Sequence, residues 1–249
     1  MCSINNKRYQ DLDALRGLAA IAVLLGHAQG FNLISTNNFS HTYLAVDLFF
    51  CLSGFVIMSS YGSKILNYNL SLFEFYKIRL YRFFPMVFLG GTLSFFIFFI
   101  FFILGRINFF EFLLNFISNF LIFPFSLFLE RDKLSPYLFN INPPLWSLFF
   151  ELIVNILFFI FLRNRFFVLS FLIFISIFLF MMLRFSSFDV GAKSDIDSFI
   201  VGFFRTALSF YLGVICFKFH KNIKLDKIIG FICFTSLIFV LSIPWRIQT

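Results

Sequence analysis

Charge is what this chain has least of. Acidic and basic side chains make up 13% of its 249 residues, about half the share found in soluble domains, so an ordinary water-facing surface is excluded. Cysteine is sparse as well. Cys2, Cys51, Cys216 and Cys233 show no Cys-x-x-Cys spacing, and three of them lie in apolar runs; neither a disulfide framework nor a metal site follows. The chain has no periodic repeat, no Gly/Ser linker and no alternation of apolar with polar residues. Solenoids, appended flexible domains and transmembrane barrels are thereby set aside.

What the chain has is apolar length. Hydrophobic residues are 60% of the total, 47 of them phenylalanine, and the mean hydropathy is +0.93. The composition predicts an all-α, polytopic membrane helix bundle forming one domain over residues 1–249, with phenylalanine filling lipid-facing positions. About eight segments approach the ~20 residues that a bilayer requires: 14–34, 42–61, 84–104, 109–128, 145–162, 166–184, 198–219 and 226–243. The net charge of +8 collects between them, where it reports topology and contact with anionic lipid heads rather than nucleic acid. Residues 28–43 contain no Lys or Arg, which makes that loop external and the N-terminus cytoplasmic. Segment 109–128 is broken by Pro124. Whether it crosses or re-enters, the inside excess of basic residues is the same, so charge leaves the later topology open.

The polar residues inside apolar runs carry the chemistry. In LDALRGLAAIAVLLGH, Arg16 and His27 are eleven residues apart, which places them on nearly one helical face, roughly 16 Å apart along the axis. Asp47 opens the next segment at a depth like that of His27, where a carboxylate on one ring nitrogen makes the other a better base; a buried ion pair or a helix cap is the plainer alternative. Ser53 and Gly54 suit close helix packing. Arg79 and Arg82, spaced i, i+3 ahead of a first-turn Pro85, match phosphate geometry or form an ordinary basic flank. Ser147, Glu151 and Asn155 make a polar stripe on one face, with Trp146 as an interface anchor. Asp189, Asp195 and Asp197 read as a solvated loop. Arg205, Ser209 and Gly213 share a face, where Arg205 either binds substrate or snorkels to the interface.

Together, LDALRG with His27, VDLFFCLSGF, Arg79-x-x-Arg82 with Pro85, PPLWSLFFE and RTALSFYLG resemble the acyltransferase 3 family of integral-membrane acyltransferases. The resemblance implies a bacterial inner-membrane, multi-pass enzyme. It would move an acyl group, often acetyl, from cytoplasmic acyl-CoA to a hydroxyl of an extracytoplasmic carbohydrate such as a cell-surface polysaccharide, lipopolysaccharide or peptidoglycan. Acyl-CoA would be a substrate, with no permanently bound cofactor and no metal. By motif, His27 corresponds to the catalytic histidine, Asp47 and Glu151 to motif acids, and Arg16, Arg79 and Arg82 to donor-side arginines; Ser147 and Arg205 would contact substrate. The expected chemistry is deprotonation of the acceptor hydroxyl by His27, oriented by Asp47, for attack on the thioester. Family members usually have about ten helices of the ~20 residues a bilayer needs, so either a partner or further helices would complete this bundle or the fold is a minimal one. Two alternatives are a proton-coupled transporter or flippase using His27, Asp47 and Glu151, which should show inverted repeats, and an inactive truncated remnant.

Overall fold

The structure is a computed structural model that describes residues 10–30, 32–33, 41–124, 137–185, 193 and 195–219, with side chains for all of these except 10, 30 and 180–185. The regular structure among the described residues is helical. It comprises α1 (Gln10–Gly30), α2 (Tyr43–Leu66), α3 (Leu72–Ile103), α4 (Phe109–Leu121), α5 (Leu145–Arg163), α6 (Phe167–Phe185) and α7 (Ile196–Phe219). Four of them, α2, α3, α5 and α7, are long and apolar enough to cross a membrane, and the all-α membrane bundle stands. The expected segment 226–243 lies outside the described residues.

Helix starts follow local chemistry. Ser71 opens α3 in a capping box: its Oγ accepts from the Glu74 N–H at 3.2 Å, and the Glu74 carboxylate accepts from the Ser71 N–H at 2.9 Å. This start lies well ahead of the expected residue 84, so Pro85 sits inside the helix rather than in its first turn, and has no N–H for the Tyr81 carbonyl. Asn108 and Glu111 open α4 in the same way. Asp195 caps α7 by accepting from the Ser198 N–H at 2.9 Å. Burial alone would raise the Asp195 carboxyl, but its hydrogen bonds with Ser198 hold it below the usual value.

The chain divides into two compact units, Met1–Ser63 with Ser209–Thr249, and Lys64–Leu208. In the first, α2 and the end of α7 meet at a constant offset. Ser209 Oγ donates to Asp47 Oδ1 at 3.2 Å, Gly213 lies against the Cys51 carbonyl, and the Phe55 and Phe217 rings meet edge to face at 5.3 Å. A step of four along one helix matches a step of four along the other in the same sense, so the two run parallel. Glycine is required at the seam. A Cβ on Gly213 would overlap the Cys51 carbonyl, and one on Gly54 would overlap the Phe210 carbonyl. Gly213→Ala is therefore expected to lower stability by about 1–3 kcal/mol, as overpacking does. Gly17→Ala, where a Cβ meets nothing within 4 Å, should gain up to about 1 kcal/mol from helix propensity. Thermal unfolding of the two variants side by side checks this.

In the second unit, the 32-residue α3 is about 48 Å long, well beyond the ~30 Å hydrocarbon core of a bilayer. Two shorter helices share its length. The second half of α3 packs on α4 through aromatic rings, with Phe95 at 5.4 Å from Phe116 and Phe102 at 5.5 Å from Phe112. Part of the phenylalanine excess is thus interhelical packing rather than lipid-facing filler. The first half of α3 packs on α5: Arg79 bonds Glu151, Phe75 meets Phe159 at 5.4 Å, and Arg163 donates to the Leu70 carbonyl at 3.2 Å and lies 4.3 Å over the Tyr68 ring. Along both halves, positions rising on α3 meet positions falling on its partner, so α4 and α5 both run antiparallel to α3.

The expected count of about eight crossings is not confirmed among the described residues. At 13 residues, α4 is too short to span alone, because it ends at Ile122 in the left-handed region (φ 51°, ψ 45°) just before Pro124. Running the same way along α3 as α5 does, it would form one broken crossing together with α5. The parallel pairing of α2 with α7 fits that parity. Separate crossings at 84–104, 109–128, 145–162 and 166–184 would return the chain so that α7 ran antiparallel to α2. One prediction follows for a cysteine-free background carrying either Asn67→Cys or Asn164→Cys. A membrane-impermeant thiol reagent should reach both positions from the same face, and labelling from opposite faces would refute the broken crossing.

Candidate active site

In the first unit, α1 carries Arg16 and His27 on one uninterrupted helix, with the spacing and shared face expected. Arg16 Nη1 donates to Asp13 Oδ1 at 3.0 Å, whereas its Nη2 is buried without a hydrogen-bond partner. His27 is exposed. The preceding residue, Gly26, leaves room for the Thr42 side chain at the entrance to α2, so the turn that bears His27 touches the start of the helix that bears Asp47. The Asp47 carboxylate receives a hydrogen bond from Ser209 on α7. Local periodicity puts Ser209 on the Arg205–Ser209–Gly213 face but does not name Asp47 as its partner. Ser209 and Gly213 both face α2, as a hydrogen-bond donor and as the space for a close approach.

In the second unit, Arg79 is 1% exposed. Its Nη2 donates to Glu151 Oε1 at 2.9 Å, and its guanidinium lies 5.1 Å from the Phe83 ring centre. Arg82, three residues on, is exposed. The two arginines therefore do not form a joint phosphate fork, because one is drawn into the α3–α5 contact and the other faces outward. The stripe on α5 is confirmed as an inward face at two of its positions. Glu151 is buried, and Asn155 is fully buried with neither amide atom hydrogen-bonded. At the head of the stripe, Ser147 Oγ donates to the Pro144 carbonyl at 2.9 Å, a local bond that stabilises the first turn. Trp146, partly buried, packs against the apolar cluster around Phe83, Leu138, Leu145 and Phe150. Arg205 is buried at 6% exposure, which separates it from a snorkelling side chain. Among the described residues no group of three His, Cys, Asp or Glu side chains gathers in metal-binding proximity.

A family model described as an acyltransferase domain matches residues 9–248. The chain belongs to this acyltransferase 3 family, and with its long apolar helices it is a membrane acyltransferase. It is also similar to "Protein 2 in picA locus" of Rhizobium radiobacter, with 34% identity over 161 residues, covering 60% of this chain and 80% of that protein. No solved structure matches.

Proposed function

We propose that this chain transfers an acyl group, acetyl in the simplest case, from cytoplasmic acyl-CoA to a hydroxyl of an extracytoplasmic cell-surface carbohydrate. The observation that carries the proposal is the build of α1. One helix holds a guanidinium nitrogen that is buried without a partner and, on nearly the same face roughly 16 Å along the axis, an exposed imidazole. The first suits an anionic donor, the second a general base.

In the proposed reaction, His27 accepts the proton of the acceptor hydroxyl while its oxygen attacks the thioester carbonyl. Collapse of the tetrahedral adduct forms the ester and breaks the carbon–sulfur bond, and the imidazolium proton neutralises the leaving thiolate. Asp47, anchored by Ser209, supports the positive charge that develops on the ring. Arg82, exposed on α3, takes a phosphate-binding role, and Arg79 with Glu151 a structural one. Direct transfer is preferred to a relay through Ser147, whose hydroxyl is engaged with the Pro144 carbonyl.

The test uses membranes containing the full chain, with N-terminus cytoplasmic, given labelled acetyl-CoA beside a His27→Ala control. Label entering glycan with the parent alone is the expected result. Equal labelling with both proteins would remove His27 from the chemistry, and export of an unmodified solute driven by a proton gradient would favour the transporter reading.

A further inference from the structure

The break between α4 and α5 contains polar groups that the transfer chemistry above does not use. The side that α4 buries is polar: Asn115, Ser118 and Asn119. Asn115 and Ser118 are satisfied locally, by the Glu111 carbonyl at 2.9 Å and the Phe123 carbonyl at 2.6 Å. Asn119 is not. It is 2% exposed, and both its Nδ2 and its Oδ1 lack a hydrogen-bond partner. Its amide occupies the space that a Cβ on Gly91 would take, and the Asn142 amide from the approach to α5 lies against the adjacent Gly90. Asn140, two residues earlier, adds an Oδ1 that is buried and unpartnered. Two chain segments thus lay asparagines on consecutive glycines in the middle of α3.

Buried amides left unpaired call for an explanation, a bound ligand or water being the usual one. Irregular backbone at membrane depth persists where it lines such a site. Among the described residues the surroundings of Asn119 are also neutral. No charged residue lies between Arg82 and Arg106 or between Tyr137 and Phe150, and Glu111 is committed to the capping box at the far end of α4; Glu130, Arg131, Asp132 and Lys133 of the α4–α5 connection lie outside the described residues. We infer that the Asn119 amide, lying against Gly91 of α3, binds an uncharged ligand group presenting a hydrogen-bond donor and acceptor side by side. On the acyl-transfer reading, two substrate parts have that chemistry: the α-hydroxy amide of the pantetheine arm of the donor, whose hydroxyl and carbonyl lie on neighbouring carbons, and the neighbouring hydroxyls of a sugar acceptor.

The experiment measures thermal unfolding of the full chain in nanodiscs with D-pantetheine and, separately, with methyl β-D-glucopyranoside. A probe several times above its Kd should raise the midpoint by about 2–4 °C. A response to pantetheine assigns the donor arm to the site, and a response to the glycoside assigns the acceptor. Asn119→Leu should abolish the response and, without ligand, unfold at or above the parent midpoint, because an unpaired buried amide has been replaced by a similar apolar shape. The inference is overturned if neither probe moves the parent, if the variant responds equally, or if the variant alone is less stable. Because the readout is binding, a parent that responds yet transfers no acetyl would fail the acyl-CoA reading and leave this site standing.

Discussion

Replacing Glu151 by glutamine is expected to destabilise the protein by about 3–5 kcal/mol, the usual result of removing one partner from a buried ion pair. Arg79 is 1% exposed and donates to Glu151 at 2.9 Å, and its charge cannot be dropped at any working pH. Without the carboxylate, a guanidinium stays in a low-dielectric contact between α3 and α5, where its own desolvation dominates. Arg79→Met should be comparably harmful, because it strands the glutamate. The double variant Arg79→Met/Glu151→Met should recover most of the loss, since apolar residues of similar volume replace buried pairs with little penalty. Unfolding midpoints of the parent, both single variants and the double variant form a closed cycle. An additive cycle would show that the two side chains do not depend on each other. The refolded double variant then asks a separate question, whether turnover needs the pair at all.

The opposite pattern is expected at His27. Its side chain is exposed, so His27→Ala should leave the unfolding midpoint within about 0.5 kcal/mol of the parent. Loss of a general base should nevertheless lower acyl transfer by about 10²–10⁴-fold. Ser209→Ala should act between these extremes, removing one hydrogen bond to Asp47 and reducing turnover without touching His27. Initial rates beside unfolding curves separate the cases. A His27→Ala protein that transfers acyl groups at the parent rate would end the general-base assignment, whatever its stability.

The sequence made the apolar segments legible, since in lipid every backbone polar group must be satisfied within a helix. It also marked His27, Asp47, Arg79 and Glu151 as polar residues that an apolar run would not carry idly. Partner choice was not legible. Arg79 and Glu151 are separated by 72 positions and Asp47 and Ser209 by 162, and nothing in local periodicity says which helix faces which. Ser53, Gly54 and Gly213 announced close packing without naming the neighbour. Pro124 announced a break, but whether the chain turned back or continued depends on which face of α3 the next helix finds. The start of α3 was misplaced for a plainer reason. Hydropathy favours the run after Arg82, while the hydrogen bonds between Ser71 and Glu74 begin the helix earlier.

The parallel contact between α2 and α7 has a consequence for how the protein is made. α2 (Tyr43–Leu66) leaves the ribosome long before α7 (Ile196–Phe219), and until α7 arrives the Gly54 face of α2 lacks the backbone it packs against. Asp47 likewise waits without the hydroxyl of Ser209. A chain interrupted before residue 209 would hold Asp47 without the Ser209 hydroxyl and Gly54 without the helix that packs on it. Completion of α7 therefore closes this seam late in synthesis.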